Sequence, residues 1–312
     1  MFCIVAFVVL SIMGIFSATN RQLAKEAFDC VTRRVTFRSC TTGFDEKMKA
    51  KILGKVINYS EPVARFLNKY FEALAWVFFF LFLASGIYSV RGLYLFYTTG
   101  SCNGLNQAGF CVFDPSGSNN QISTSVSSCD LVPPTIKDLT LKGVDLSSFP
   151  VLNPQSKDKI VFIGCYDCDY TRKTYSLIMD LARHYGASVT FLHYPVKEST
   201  DYMSKVSYCA YQQDPGKYWA MNDAFFGTDK ATMDGDGFVQ TTLTGLGYDY
   251  GKIQACLSDP ATESAVQNQL AQIEKTKFYG TPTISINGEW FVGPKPYRVY
   301  AIKLAGLLFW LR

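Results

Sequence analysis

Residues 160–194 read IVFIGCYDCDYTRKTYSLIMDLARHYGASVTFLHY. The run IVFIG at 160–164 is short, apolar and rich in β-branched residues, which predicts a buried strand. After the CYDC tetrapeptide, Thr174, Leu177, Ile178, Leu181 and Tyr185 recur at helical spacing on one face. SVTFLHY then predicts a second strand. Strand, cysteine pair, helix and strand in that order are a natural piece of an α/β domain.

The placement of the pair carries chemistry. Cys165 is expected at the helix N-terminus, where unpaired backbone N–H groups and the helix dipole favour thiolate over thiol, and Cys168 is expected one turn inward. One sulfur is then exposed to attack and the other can resolve. A lone C-x-x-C also occurs in zinc sites and static disulfides. A tetrahedral zinc site needs further ligands, and His184 and His193, the chain's two histidines, fall across a helix and a strand from the motif. Reversible disulfide chemistry is therefore the expectation, with no metal and no cofactor. His193, ending an apolar strand, reads as structural.

Working outward toward the C-terminus, Thr200 to Gln212 and Lys217 to Phe226 read as helices separated by Asp-Pro-Gly, followed by a Gly-rich break, ATMDGDG, that lacks the spacing of a calcium-binding loop. Helices follow at Asp249 to Leu257 and Pro260 to Lys277, the second with Asp259 as cap and Pro260 in its first turn. TISI and EWFV flank Asn287 and Gly288, a hairpin signal, and a closing helix is expected over Pro296 to Trp310. Its apolar end is too short for a membrane span and is expected to pack in the core.

The order CYDC, then KYWAMNDAFF, then GTPTISINGEW resembles the DsbA-like branch of the thioredoxin superfamily over approximately residues 158–312. The resemblance implies an α/β thioredoxin-like fold with a helical insertion. It also implies that Cys165 is the nucleophile, that Cys168 resolves the mixed disulfide, and that Thr281 and Pro282 form a substrate-binding loop with a cis proline. Such a loop would leave a backbone edge open to an extended substrate segment. The family's usual proline-containing dipeptide is replaced by Tyr166 and Asp167, which are expected to tune the redox setting. An ionised Asp167 near Cys165 would oppose thiolate formation and make the pair a weaker oxidant than one at about −120 mV.

Toward the N-terminus the chain changes character. Met1 to Asn20 contain no charged side chain, and Ala73 to Val90 are uncharged between Glu72 and Arg91. Each approaches the length of a membrane helix, although the first also reads as a cleavable signal peptide because small residues cluster near Ser17 and Ala18. Between them, residues 19–73 hold 11 basic and 6 acidic residues, a net of +5, whereas residues 98–312 hold 18 basic and 20 acidic, a net of −2. The positive-inside rule then predicts a two-pass anchor over residues 1–97, with the basic connection cytoplasmic and everything beyond Tyr97 extracytoplasmic, periplasmic in a bacterium. Within the connection, Phe44 to Lys55 and Pro62 to Phe71 read as amphipathic helical pieces, with Ser60 a cap for the second, and Cys30 and Cys40 are expected to stay reduced. A net charge of +4 for the whole chain argues against a nucleic-acid binder.

Residues 98–157, rich in Gly, Ser, Asn and Pro, read as an irregular extracytoplasmic connector. Cys102 with Cys111 is a local disulfide candidate there. Cys209 and Cys256 in the helical insertion are expected as a structural disulfide, a second redox relay or buried thiols. The resulting expectation is a membrane-anchored thiol–disulfide oxidoreductase. Its partners would be the lipid bilayer, cysteine-containing exported or membrane proteins, and a membrane or soluble redox partner. The alternative is a non-catalytic, membrane-anchored assembly or peptide-binding protein.

Overall fold

The computed structural model describes residues 7, 18–36, 44–58, 60–107, 109–124, 135–196, 201–233 and 237–311. The chain divides into two compact units, Met1–Arg91 and Gly92–Arg312.

The first unit contains helices α1 (Ala18–Val35) and α2 (Phe44–Ile57) and most of α3 (Glu61–Thr99). The apolar stretch Met1 to Asn20 lies largely outside the described residues. The helix expected over Pro62 to Phe71 is present and continues into the apolar run: α3 runs unbroken for 39 residues. Pro62 sits in its first turn, where a missing N–H costs no helical hydrogen bond, so nothing interrupts the helix between the charged turn and the apolar run. This helix is long and apolar enough to cross a membrane, and none of its most apolar window is buried. Cys30 is fully buried and disulfide-bonded, whereas it was expected to be reduced. That expectation came from charge balance, which bears on membrane sidedness and carries no information about which thiols meet.

The second unit is built on a five-stranded sheet of order β1-β3-β2-β4-β5. Its strands are β1 (Val151–Leu152), β2 (Lys159–Gly164), β3 (Ser188–His193), β4 (Thr283–Ile286) and β5 (Glu289–Val292). β2 pairs parallel with β3 and antiparallel with β4; β1 on β3 and β5 on β4 are antiparallel. The crossover between β2 and β3 is helix α4 (Asp169–Tyr185), ended by Gly186 in the left-handed conformation. The Asn287–Gly288 turn, with both residues at positive φ, joins β4 and β5.

Strand alternation sorts the core onto two faces. Ile160 and Phe162 of β2, Val189 and Phe191 of β3, and Ile284 and Ile286 of β4 pack with Ile178 and Leu181 of α4. Val161, Ile163 and Leu192 point the other way, toward Phe149 and Ile273. Each such fully buried aliphatic or aromatic side chain contributes about 1.5–3 kcal/mol. Phe149 and β1 both lie within the stretch read from sequence as connector, so the sheet recruits its edge strand from there.

Between β3 and β4 the chain forms α5 (Asp201–Gln213), α6 (Pro215–Gly227), α7 (Lys230–Met233), α8 (Phe238–Gly245), α9 (Tyr250–Ser258) and α10 (Pro260–Lys275). Asp214, Asp249 and Asp259 cap α6, α9 and α10 by accepting from backbone N–H groups one turn on. Disulfides Cys209–Cys256 and Cys102–Cys111 close, the first tying α5 to α9. The closing helix α11 (Tyr297–Ala305) is shorter than expected, because Gly306 adopts a positive φ and stops it. Leu307, Leu308, Trp310 and Leu311 beyond it are exposed, not packed into the core.

Candidate active site

The central strand β2 delivers the cysteine pair at its C-terminal end, and Gly164 leaves room for the helix that follows. A Cβ there would stand 2.6 Å from Thr171 Cγ2, so any larger residue would push α4 away from the strand. The chain then turns through Cys165–Cys168, closed by Cys168 N–H donating to Cys165 O at 3.3 Å. Cys168 is the N-cap of α4 rather than a residue one turn inside it, and its carbonyl accepts from Arg172 N–H at 2.9 Å. Cys165 lies ahead of the helix, its N–H donating to Thr171 Oγ1 at 3.4 Å.

Both cysteines are thiols and both are fully buried, against the expectation of one exposed sulfur. The hydrogen bond that Cys168 makes to the Cys165 sulfur, together with burial and the Cys165 charge, pushes the Cys168 thiol far above the ordinary thiol range. The hydroxyls of Thr281 and Ser123 face Cys168 and oppose that shift. The Thr281–Pro282 peptide is cis.

The two residues between the cysteines have separate fates. Tyr166 turns inward: it is fully buried, its hydroxyl donates to Asn222 Oδ1 at 2.6 Å and meets Ser207 Oγ at 3.4 Å, and its ring lies 4.4 Å from that of His193. Burial raises the Tyr166 hydroxyl above its usual range. It is a peg that fixes the turn in the core. Asp167 is buried as well and forms an ion pair with Lys230 of α7 at 3.1 Å, and the same ammonium reaches Asp169 at 3.3 Å. A cation thus offsets the carboxylate that was expected to oppose thiolate formation.

Arg172 locks the turn to the helical insertion. Its guanidinium donates to Tyr166 O at 2.9 Å and to Phe225 O and Phe226 O at 3.1 Å each. Arg172, Lys230, Asn222 and Ser123 were not singled out from the sequence. Asn222, which with Asp223 interrupts the apolar run YWAMNDAFF, was the one with a visible signal.

On the other side of the pair, Ser123 and Thr281 form an antiparallel bridge, each N–H donating to the other's carbonyl at 2.8 Å. Among the described residues no group of three or more His, Cys, Asp or Glu is arranged to hold a metal ion.

Residues 169–305 match the DSBA-like thioredoxin domain family, a span that starts immediately after Cys168. No curated protein matches the chain. Among solved structures, a thioredoxin-like oxidoreductase from Silicibacter pomeroyi DSS-3 is similar at 22% identity and TM-score 0.44, covering 53% of this chain and 92% of that one. The thiol-disulfide exchange protein alpha-DsbA2 from Wolbachia pipientis is similar at 20% identity and TM-score 0.46, with 51% and 86% covered. BdbD from Bacillus subtilis, in its oxidised form, is similar at 17% identity and TM-score 0.44, with 50% and 89% covered. Residues 169–305, less than half of the chain, are thus similar to the DSBA-like thioredoxin domain family.

Proposed function

We propose that the C-terminal unit is a thiol–disulfide oxidoreductase that acts on the cysteines of exported or membrane proteins through a mixed disulfide. The observation that carries this is the juxtaposition of two hydrogen-bonded thiols at the start of α4, beside the backbone edge at Thr281. Cys168 keeps its proton and donates it toward Cys165, which makes Cys165 the sulfur suited to act as thiolate.

In the reducing direction the Cys165 thiolate attacks a substrate disulfide; one substrate sulfur leaves as thiolate and a mixed disulfide forms. Cys168 then loses its proton and attacks Cys165, closing the Cys165–Cys168 bond and releasing the second substrate thiolate. In the oxidising direction a substrate thiolate attacks Cys165 of the closed pair, Cys168 leaves as thiolate, and a second substrate thiolate completes the transfer. Thr281 and Pro282 serve as the docking loop, and Asp167 with Lys230 sets the local charge. Substrates and a membrane or soluble redox partner are cysteine proteins in both directions.

The compartment follows from the disulfides of this unit: Cys102–Cys111 and Cys209–Cys256 suit an oxidising, extracytoplasmic setting. α3 is proposed as the membrane anchor. Exposed Leu307, Leu308 and Leu311 flank Trp310, whose ring lies 6.3 Å from that of Tyr97 at the end of α3, an apolar margin suited to a bilayer surface. The disulfide at Cys30 counts against a reducing compartment for the basic connection. Thiol labelling across intact membranes decides that sidedness.

The burial of both sulfurs favours one competing reading, a non-catalytic assembly or peptide-binding protein. Trapping in a Cys168→Ala variant separates them. The redox reading expects partner proteins held on Cys165 and released by reductant, and the assembly reading expects none.

A further inference from the structure

The backbone edge at Thr281 is already occupied by the chain itself. Besides the two 2.8 Å bonds between Ser123 and Thr281, Ile122 lies over Gly280 so closely that a Cβ on that glycine would stand 2.6 Å from Ile122 Cδ1. A Cβ on Gly293 would likewise meet Gln121 O at 2.7 Å. Two glycines therefore leave room for one extended segment on either side of the cis peptide.

That segment is held from behind. The 3₁₀ turn Ser118–Asn120 precedes it, and the Asp114 carboxylate accepts from Ser118 N and Asn119 N at 3.0 and 3.1 Å. Lys295, almost fully buried, donates from Nζ to Asn119 O and Asn120 Oδ1 at 2.6 Å each and to Val292 O at 2.8 Å, clamping the strap to the end of β5. The Ser123 hydroxyl faces the Cys168 sulfur.

We propose that Gln121–Thr124 is a built-in pseudosubstrate: it lies as a short segment bridged through Ser123 to the edge where a substrate segment docks, with Ser123 beside the cysteine pair where a substrate cysteine would stand. This rests on the oxidoreductase reading and adds regulation to it. The resting enzyme is closed, both thiols are shielded, and a cysteine-containing polypeptide enters by exchanging its own main-chain hydrogen bonds for those of Ser123.

The test uses the full-length protein in detergent micelles, with the pair poised in glutathione buffers and Cys165 then alkylated by iodoacetamide at several pH values. Ser123→Pro removes the N–H donated to Thr281, and Ile122→Ser removes the contact with Gly280. Both are expected to speed Cys165 alkylation by about tenfold across the pH range, since one strap contact fewer makes opening more frequent. A third variant, Ser123→Cys, is read by peptide mapping. The introduced thiolate attacks one sulfur of the Cys165–Cys168 disulfide, that bond breaks as the new one forms, and the other sulfur leaves as thiolate. An internal disulfide from position 123 to the pair is expected. Alkylation rates within about twofold of wild type, or no such internal disulfide at any poise, overturns the strap while an intact Cys165–Cys168 couple leaves the oxidoreductase reading standing. A wild-type chain without that couple overturns both.

Discussion

Replacing Tyr166 by Phe removes one oxygen and nothing else, which makes it a clean probe of why an aromatic stands between the two cysteines. The hydroxyl's partners are Asn222 Oδ1 at 2.6 Å and Ser207 Oγ at 3.4 Å, and Ser207 in turn meets the Tyr218 hydroxyl at 2.9 Å. All are buried, so no water replaces the lost donor, and a buried acceptor left unsatisfied costs about 1–3 kcal/mol. For a unit of this size each kcal/mol corresponds to roughly 2–4 °C, so thermal unfolding followed by near-ultraviolet circular dichroism should fall by about 2–12 °C. The dithiol potential should stay within about 10 mV of wild type, because the hydroxyl bonds to Asn222 and Ser207 and not to either sulfur; for comparison, about 30 mV corresponds to 1.4 kcal/mol. An unchanged melting temperature with a potential moved by about 30 mV or more would refute the view of Tyr166 as a peg and restore it as a redox tuner.

Lys230→Met removes the ammonium paired with the buried Asp167 carboxylate, which disfavours thiolate and the reduced form; a potential more negative by roughly 10–30 mV in a glutathione titration is expected. Burial, opposed by Asp114, holds the Lys295 amine down to about 7. Between about pH 7 and 10 the unfolded chain binds a proton that the folded lysine has released, so stability rises with pH across that window. Urea unfolding should show wild type gaining on Lys295→Met from pH 7 to 10, and a parallel pH dependence in the two would contradict it. Opening the Cys209–Cys256 disulfide by double Ala substitution frees a loop with a sequence separation of 47 and should cost about 4 kcal/mol of unfolding free energy.

What could be read without coordinates was what short-range physics writes into neighbouring residues. IVFIG and SVTFLHY announced β2 and β3 by apolar runs too short for helices, Asn287-Gly288 marked the β4–β5 hairpin, and Asp259-Pro260 marked the start of α10. Helix α8 escaped because it follows a Gly-rich break and is only eight residues long, with Gly237 as an N-cap that offers no side-chain acceptor. The continuity of α3 escaped because its charged first turns and apolar body look like different segments when read in windows.

The candidate site was legible in its sulfur atoms and in the Thr281–Pro282 loop, and illegible in what surrounds them. Tyr166 finds Asn222 and Ser207, Asp167 finds Lys230, and Arg172 finds Phe225 and Phe226, all on the helical insertion. Ser123 finds Thr281 from within a Ser- and Asn-rich stretch with no periodicity at all. These pairings join residues far apart in the chain through single side chains or backbone bonds, and no local pattern encodes a partner at that distance.

The central claim is that Cys165 and Cys168 form a reversible couple, and it is met most directly by equilibrating the full-length protein in glutathione buffers, quenching with acid, and quantifying the Cys165–Cys168 linkage by peptide mass. The account predicts a single two-electron transition between dithiol and disulfide, with a midpoint between about −120 and −270 mV, while Cys102–Cys111 and Cys209–Cys256 stay closed. A pair that remains thiol, or remains bonded, across the whole range would contradict it.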